Sequence, residues 1–185
     1  MTTLTKKRLM YLSGEDYYFF TYSTLILLHV LKCENGRYFK DYRKIPFLID
    51  ITKDENALFI LERALQETDK LSDERVKRKL NDIDKEYLFR SYSSGVARRS
   101  EILKLLFTLE KSSYVSLRRG ERDFEIDVTL NIEAVPPDFF SAIVFGSDIR
   151  NIKRLQASIK RLSTLTLSTM IERIYDNNGV KTWAL

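Results

Sequence analysis

The stretch from Arg98 to Leu130 combines the pattern of one helix with that of a β-hairpin directly after it. This order of elements constrains the fold more than any other feature of the chain. Apolar residues of the first half recur at the helical spacing i, i+3, i+4 and i+7. They are Ile102, Leu105, Leu106 and Leu109. Ser112 and Ser113 follow this stripe and are expected to end the helix.

Alternation of apolar and polar residues predicts two strands after this helix, each with one buried and one solvent face. On the second strand the buried face would carry Phe124, Ile126, Val128 and Leu130, and the solvent face Glu125, Asp127 and Thr129. Val115 and Leu117 alternate in the same way on the first strand. Gly120, in the connection, is expected to supply the positive φ that tight hairpins often need.

A helix that leads into such a hairpin is typical of a winged-helix module, which binds duplex nucleic acid or docks within a larger assembly. The sequence therefore predicts an α+β, mostly helical fold. It would have a winged-helix-like core, a β-hairpin wing and a long C-terminal helix. The expected parts are a helical region 1–68, a winged-helix-like region 69–134 and a helical region 135–185, packed as one compact unit.

Composition fits a protein with a real core and a moderately basic surface. The chain has 185 residues, 44% of them hydrophobic, and a net charge of +5. The single cysteine, Cys33, excludes an internal disulfide and fits a reducing compartment. The most apolar run, Tyr22–Leu31, is about half as long as a membrane span. We expect a cytoplasmic protein without a membrane segment.

Basic residues concentrate around the helix and hairpin. Residues 95–122 contain seven of them against three acids, an excess of four. The seven are Arg98, Arg99, Lys104, Lys111, Arg118, Arg119 and Arg122. A helix start and a hairpin tip would both present cations to phosphates. Contact with DNA or RNA, docking to an acidic protein surface and plain solvation all remain open as explanations.

Two other segments are candidate subunit interfaces. Within 148–162, four apolar residues spaced three or four apart form a seam similar to that of a short coiled coil. They are Ile152, Leu155, Ile159 and Leu162, and the basic Lys153 and Arg154 lie beside them. The highly charged stretch 70–86 is predicted to be an exposed amphipathic helix. Ser93-Ser94-Gly95 is predicted to be a short loop after it.

No catalytic motif accompanies these features. The sequence contains no phosphate-binding glycine motif, and His29, the single histidine, is interpreted as a core residue bonded to backbone. Asp123, Glu125 and Asp127 could present metal ligands as some nucleases do, but the lysine expected beyond them is missing. We therefore predict no catalytic residue, no metal, no cofactor and no enzymatic activity, and keep a metal-dependent nuclease as the weakest alternative.

Four short runs together resemble a known family. They are KIPFLID at 44–50, YSSG at 92–95 followed by 101–110, EIDVTL at 125–130 and GVKTW at 179–183. In layout and motifs, over about two thirds of its length, the chain is similar to a middle component of the ABC-type three-component systems of bacteria. These systems include Lamassu-type anti-phage defence.

The resemblance implies an accessory subunit without catalytic residues. Such subunits accompany an SMC- or Rad50-like ATPase and an effector, often a nuclease, and bridge or regulate the two. The expected function is thus a bridging subunit that couples DNA sensing to an effector nuclease in anti-phage or anti-plasmid defence. The alternative, from another class, is a stand-alone winged-helix transcriptional regulator that binds DNA by itself.

Overall fold

The protein has an α+β fold that is mostly helical, as the sequence predicted. A computed structural model describes residues 14–70, 80–122 and 124–183. These ranges contain seven α-helices and one two-stranded sheet. The elements are α1 (Gly14–Val30), α2 (Ile45–Lys53), α3 (Glu55–Lys70), α4 (Asp82–Ala97), α5 (Arg99–Lys111), β1 (Val115–Arg119), β2 (Ile126–Leu130), α6 (Gly146–Ser158) and α7 (Leu167–Ile174).

Helices α1 and α2 form the centre of the molecule. Helix α1 is apolar on most sides and contacts α2, α5, α6 and β2. Helix α2 begins with Pro46 in its first turn, where proline needs no hydrogen-bond donor, and all but two of its nine residues are buried. One continuous hydrophobic cluster includes residues from the N-terminal, middle and C-terminal thirds of the chain. The three predicted parts therefore share a core.

The predicted hairpin follows α5 directly. Strands β1 and β2 are antiparallel, with Val115 opposite Leu130 and Arg118 opposite Asp127. The segment between α1 and α2 lies along the other edge of β2. There Phe39 and Val128 exchange two backbone hydrogen bonds of 2.8 and 2.9 Å, and Leu130 N donates to Cys33 O. Strand β2 is thus paired along both of its sides, and the hairpin is anchored through this strand.

The expected solvent face of β2 is buried, because this segment covers it. Asp127 is only 3% exposed, and its Oδ1 accepts a hydrogen bond from the backbone N–H of Asp41. Thr129 donates from its hydroxyl to carbonyls of the same segment. Phe124 departs from the prediction in the opposite direction, since it lies before the strand and is 86% exposed. Alternation alone could not reveal the added segment.

Gly120 is required for space and not for a positive φ. A Cβ at this position would lie 2.6 Å from the Cβ of Glu125, across the hairpin connection. The positive φ of the connection occurs at Phe124, with a value of 69°. The expectation that Gly120 provides the left-handed turn is therefore wrong.

The predicted loop at Ser93-Ser94-Gly95 lies inside α4. Gly95 packs against the ring of Phe47 in α2, where an added Cβ would be 2.3 Å from Cδ1. Here glycine permits two helices to approach closely and does not end the helix. The charged stretch 70–86 is predicted to be one helix, but residues 71–79 lie outside the described residues. In the part that is described, α4 begins only at Asp82.

The long C-terminal helix is also absent from the described residues, since two shorter helices occupy its place. Helix α6 ends at Ser158, and the chain turns through residues 159–166 before α7 begins. The side chain of Thr166 caps α7 by accepting a hydrogen bond from the Thr169 amide. The turn contains Arg161 with a positive φ of 61°.

Candidate nucleic-acid or partner surface

The base of the hairpin is held by a chain of charged residues. Oδ2 of Asp127 accepts hydrogen bonds from Arg118 at 3.1 and 3.3 Å, while its Oδ1 binds the Asp41 amide. Asp41 in turn accepts two guanidinium hydrogen bonds from Arg43. The Arg118 guanidinium also lies 3.7 Å from the ring centre of Tyr38. This predicted contact residue is therefore largely engaged in bracing the hairpin.

The tip of the hairpin carries the other two arginines at the surface. Arg119 and Arg122 are exposed. Glu121 and Glu125 lie beside them: Glu121 accepts a 2.7 Å hydrogen bond from Lys40, and Glu125 accepts one from the Arg122 amide. The Lys40 ammonium lowers the pKa of Glu121. Arg119 and Arg122 thus form the outward cationic part of the tip.

The basic start of the helix does not join this surface. Arg98 forms a 2.6 Å ion pair with Asp50 and lies over the ring of Phe20. Arg99 lies over the ring of Phe47, and two of its guanidinium nitrogens are buried. Burial, followed by the nearby charge of Arg43, lowers the pKa of Arg99. The two cations do not form an outward pair at the start of α5, because Arg98 is held by Asp50 and Phe20 while Arg99 is half-buried against Phe47.

Lys104 and Lys111 lie where the helical pattern places them. Both are exposed on α5, opposite the buried stripe of that helix. They remain candidate contacts for an anionic partner. Of the seven predicted basic contacts, Lys104, Lys111, Arg119 and Arg122 are exposed and do not form the contacts that hold Arg98, Arg99 and Arg118 to the fold.

The predicted seam of the C-terminal region lies in the core. Ile152, Leu155, Ile159 and Leu162 are all buried within this chain. They cannot offer a surface to a partner while this fold is intact, so that prediction is wrong for these four residues. Arg154 pairs with Glu62 of α3 through two hydrogen bonds of 2.9 and 2.6 Å. Lys153 is exposed and remains a possible contact.

A different apolar surface was missed. Residues 139–145, here called the apolar protrusion, place Phe140 against His29 and Phe145 against Tyr22 as stacked rings. Two apolar residues in this segment are exposed, Ile143 to 97% and Val144 to 74%. The signal in the sequence is the run FFSAIVF at 139–145, which contains no charged residue. His29 is half-buried and pairs with Glu34 at 3.3 Å, so its predicted bond to backbone is not the one observed.

Lys44 is the most unusual charged residue of the interior. It is fully buried, and its Nζ donates to the carbonyls of Leu162, Ser163 and Leu165 at 3.0, 3.1 and 2.7 Å. Burial, opposed by the charge of Asp41, lowers its pKa from 10.5 to about 7. The three carbonyl bonds fix the turn after α6 against the segment before α2. This lysine therefore has a structural role.

A cleft of about 370 Å³ adjoins the hairpin tip. Arg43, Arg122 and Glu125 line one side, and α7 with the C-terminal segment lines the other. Trp183 is 47% exposed in this cleft. The cleft brings an indole ring to the same site as a tip arginine. The sequence showed no sign of this, because the two residues are far apart along the chain.

Metal-binding and membrane-spanning features were sought in the same ranges. Across 14–70, 80–122 and 124–183, no group of three or more His, Cys, Asp or Glu side chains could hold a metal ion. Asp123, one of the three acids considered as ligands, lies outside the described residues. Within the described part of the chain, no helix combines the length and apolarity that a bilayer crossing requires.

Comparisons of the chain with protein-family models, with curated proteins and with solved structures find no match. The resemblance to middle components of three-component defence systems therefore stays a prediction that rests on the four sequence runs.

Proposed function

We propose that this chain is a non-catalytic accessory subunit that contacts DNA through its hairpin tip. The observation that carries the proposal is a firmly anchored hairpin with Arg119 and Arg122 exposed at its end. Arginines at such a position neutralise phosphates without reading sequence. Lys40 offsets part of the negative charge of Glu121 beside them, through a hydrogen bond of 2.7 Å.

Anchoring of the hairpin matters for binding. A mobile arm loses conformational entropy when it becomes ordered on a ligand, whereas a preformed arm avoids that cost. Here β2 is paired on both sides, and Asp127 joins Arg118 to the backbone of Asp41. The tip arginines are therefore presented on a support that needs no folding upon binding.

The subunit role rests on the family resemblance and on the apolar protrusion. Exposed apolar side chains in a contiguous group are typical of protein contacts, and Ile143 with Val144 forms such a group. We propose that the partners are an SMC- or Rad50-like ATPase and an effector nuclease. The chain would couple DNA sensing to that nuclease in anti-phage or anti-plasmid defence. Co-purification with a large coiled-coil ATPase encoded beside it would support this assignment.

The first prediction concerns the tip arginines. Replacing Arg119→Glu and Arg122→Glu together should weaken binding of a duplex at least about tenfold. The slope of log affinity against log salt should fall by about 2, since two phosphate contacts are lost. Fluorescence anisotropy with a labelled duplex at several salt concentrations measures both quantities.

The matched control makes the same charge change away from the tip. Arg150 and Lys160 are exposed residues of the C-terminal region, and Arg150→Glu with Lys160→Glu should leave the slope nearly unchanged. Equal losses in both double variants would mean that net charge, and not the hairpin, governs binding. An unchanged affinity in the tip variant would exclude the tip as the contact.

A stand-alone winged-helix regulator is the second candidate. One observation favours it: the exposed face of α5 presents Lys104 and Lys111 directly before the hairpin, as a recognition helix would. The strand-like pairing of Phe39 with β2 also suits a winged-helix layout. A regulator would shift one DNA sequence in a gel strongly and as an isolated protein. An accessory subunit would bind many sequences with similar affinity.

A further inference from the structure

We propose that the hairpin tip and the adjoining cleft bind unpaired bases of single-stranded nucleic acid. Phe124 and Trp183 would stack on the bases, and Arg122 between them would contact the backbone. This inference rests on the proposed nucleic-acid contact of the hairpin and adds the class of ligand. The two aromatic residues lie outside the set of seven basic residues that the sequence predicted as contacts.

Packing against the rest of the protein does not explain why a phenylalanine stands at position 124. Its ring is 86% exposed, and its φ of 69° lies in the left-handed region, which bulky side chains rarely adopt. It stands two residues after Arg122 at the outermost part of the hairpin. An exposed aromatic ring beside a cation suits a nucleotide, because the base offers a flat π-face and the phosphate a negative charge.

Trp183 is exposed but firmly oriented. Its ring meets Tyr92 and Phe89 edge-on, with ring centres 4.7 and 5.8 Å apart. Its backbone N–H donates to the Tyr92 hydroxyl oxygen at 3.1 Å, and that hydroxyl donates to the Trp183 carbonyl at 2.7 Å. The indole ring therefore enters the cleft from a fixed support. A preorganised ring loses little freedom when a base stacks on it.

Arg122 connects the two aromatic residues. It lines the cleft together with Trp183 and belongs to the same tip as Phe124. Ser168 and Thr182 line the cleft as well, but their hydroxyl groups already bind Thr166 and Asp176, so the aromatic rings and Arg122 carry the proposed contact. In an intact duplex each base is covered by its neighbours, so two separated rings favour a strand whose bases are free to turn.

The direct test measures binding of an oligothymidylate of about 20 nucleotides to the full-length chain, because one binding module covers roughly 4–16 nucleotides. Phe124→Ala should weaken this binding about 5- to 100-fold. Phe124→Trp should retain it, and Phe124→Leu should lose most of it because leucine has no π-face. Binding of a blunt duplex by these variants should change less than about twofold. Phe107→Ala, which removes an exposed ring from α5, serves as the control.

The single tryptophan supplies a second readout without mutation. Stacking of a base on Trp183 should quench its fluorescence as the oligothymidylate is added. A blunt duplex at equal occupancy should leave the emission nearly unchanged.

These experiments distinguish a failure of the stacking proposal from a failure of the proposed duplex contact at the hairpin tip. If Phe124→Ala binds the single strand as the original chain does and Trp183 is not quenched, the stacking proposal is overturned, even where the arginine variants lose duplex binding. If the chain binds neither single strand nor duplex, both proposals fail. Equal weakening by Phe107→Ala would assign the loss to a general effect and would also overturn the stacking role.

Discussion

Asp127 anchors the hairpin because each of its carboxylate oxygens has a separate partner. One oxygen binds a backbone amide before α2, and the other binds Arg118 on the neighbouring strand. Hydrogen bonds to a charged group contribute about 1.5–3 kcal/mol each, more than neutral ones. Burial of this acid is therefore stabilised locally and requires no metal.

Phe124 presents the opposite case, a large side chain without a packing role. We predict that Phe124→Asn raises the free energy of unfolding by about 0.5–1 kcal/mol, because asparagine tolerates a positive φ better than phenylalanine. Urea denaturation followed by circular dichroism measures the change. Phe107→Asn, at an exposed helical position, should instead lower it slightly. A marked loss of stability in Phe124→Asn would mean that the ring supports the fold.

The helices pack closely where a single glycine allows it. Helices α2 and α4 meet at Gly95, and the ring of Phe47 occupies the space that a Cβ would need. We predict that Gly95→Ala lowers the free energy of unfolding by about 1–3 kcal/mol despite the better helix propensity of alanine. Thermal unfolding would measure this loss.

Gly146→Ala is the matched control at this scale. It lies at the start of α6 with open space around it, so alanine there should be neutral or slightly stabilising. Similar losses at both positions would contradict the packing role of Gly95.

The helix–hairpin unit was predictable because its signals are local. The stripe of α5 and the antiparallel hairpin after it follow from spacing alone, and the structure agrees with them except at Phe124, which lies before β2. The buried state of Asp127 was not predictable, because it depends on a segment about 90 residues earlier in the chain. The same limit applies to the apolar seam that begins in α6. Its spacing indicates an apolar face, but spacing does not show whether this chain or a partner covers that face. It also explains the cleft, whose lining residues meet only in the folded molecule.

At the scale of the whole molecule, hydrogen bonds from Lys44 connect the segment before α2 to the turn after α6. The unfolded lysine keeps its proton up to about pH 10.5, while the folded one releases it near pH 7. Between these values the unfolded state binds more protons, so a rise in pH favours the folded state. Burial also raises the pKa of Cys33 from 9.0 to about 12, and this opposes the trend above pH 9.

We therefore predict that the free energy of unfolding rises between pH 7 and pH 9. Lys44→Met should be less stable at every pH, because the buried carbonyls that Lys44 binds lose their donor, and its stability should lack this rise. Urea denaturation across the pH range measures both curves. A curve for the original chain that is flat or falling over this interval would contradict the role assigned to Lys44.

The Lys44 contacts also have a consequence for how the chain is made. Its amine is synthesised 118 residues before the carbonyl of Leu162 that receives it. At a translation rate of roughly 5–20 residues per second, about 6–24 s separate the two. During that interval α1 and α2 have emerged, but the lysine between them still needs water. The final packing of the first helices must therefore wait until the turn that contains Leu162 and Leu165 has been made.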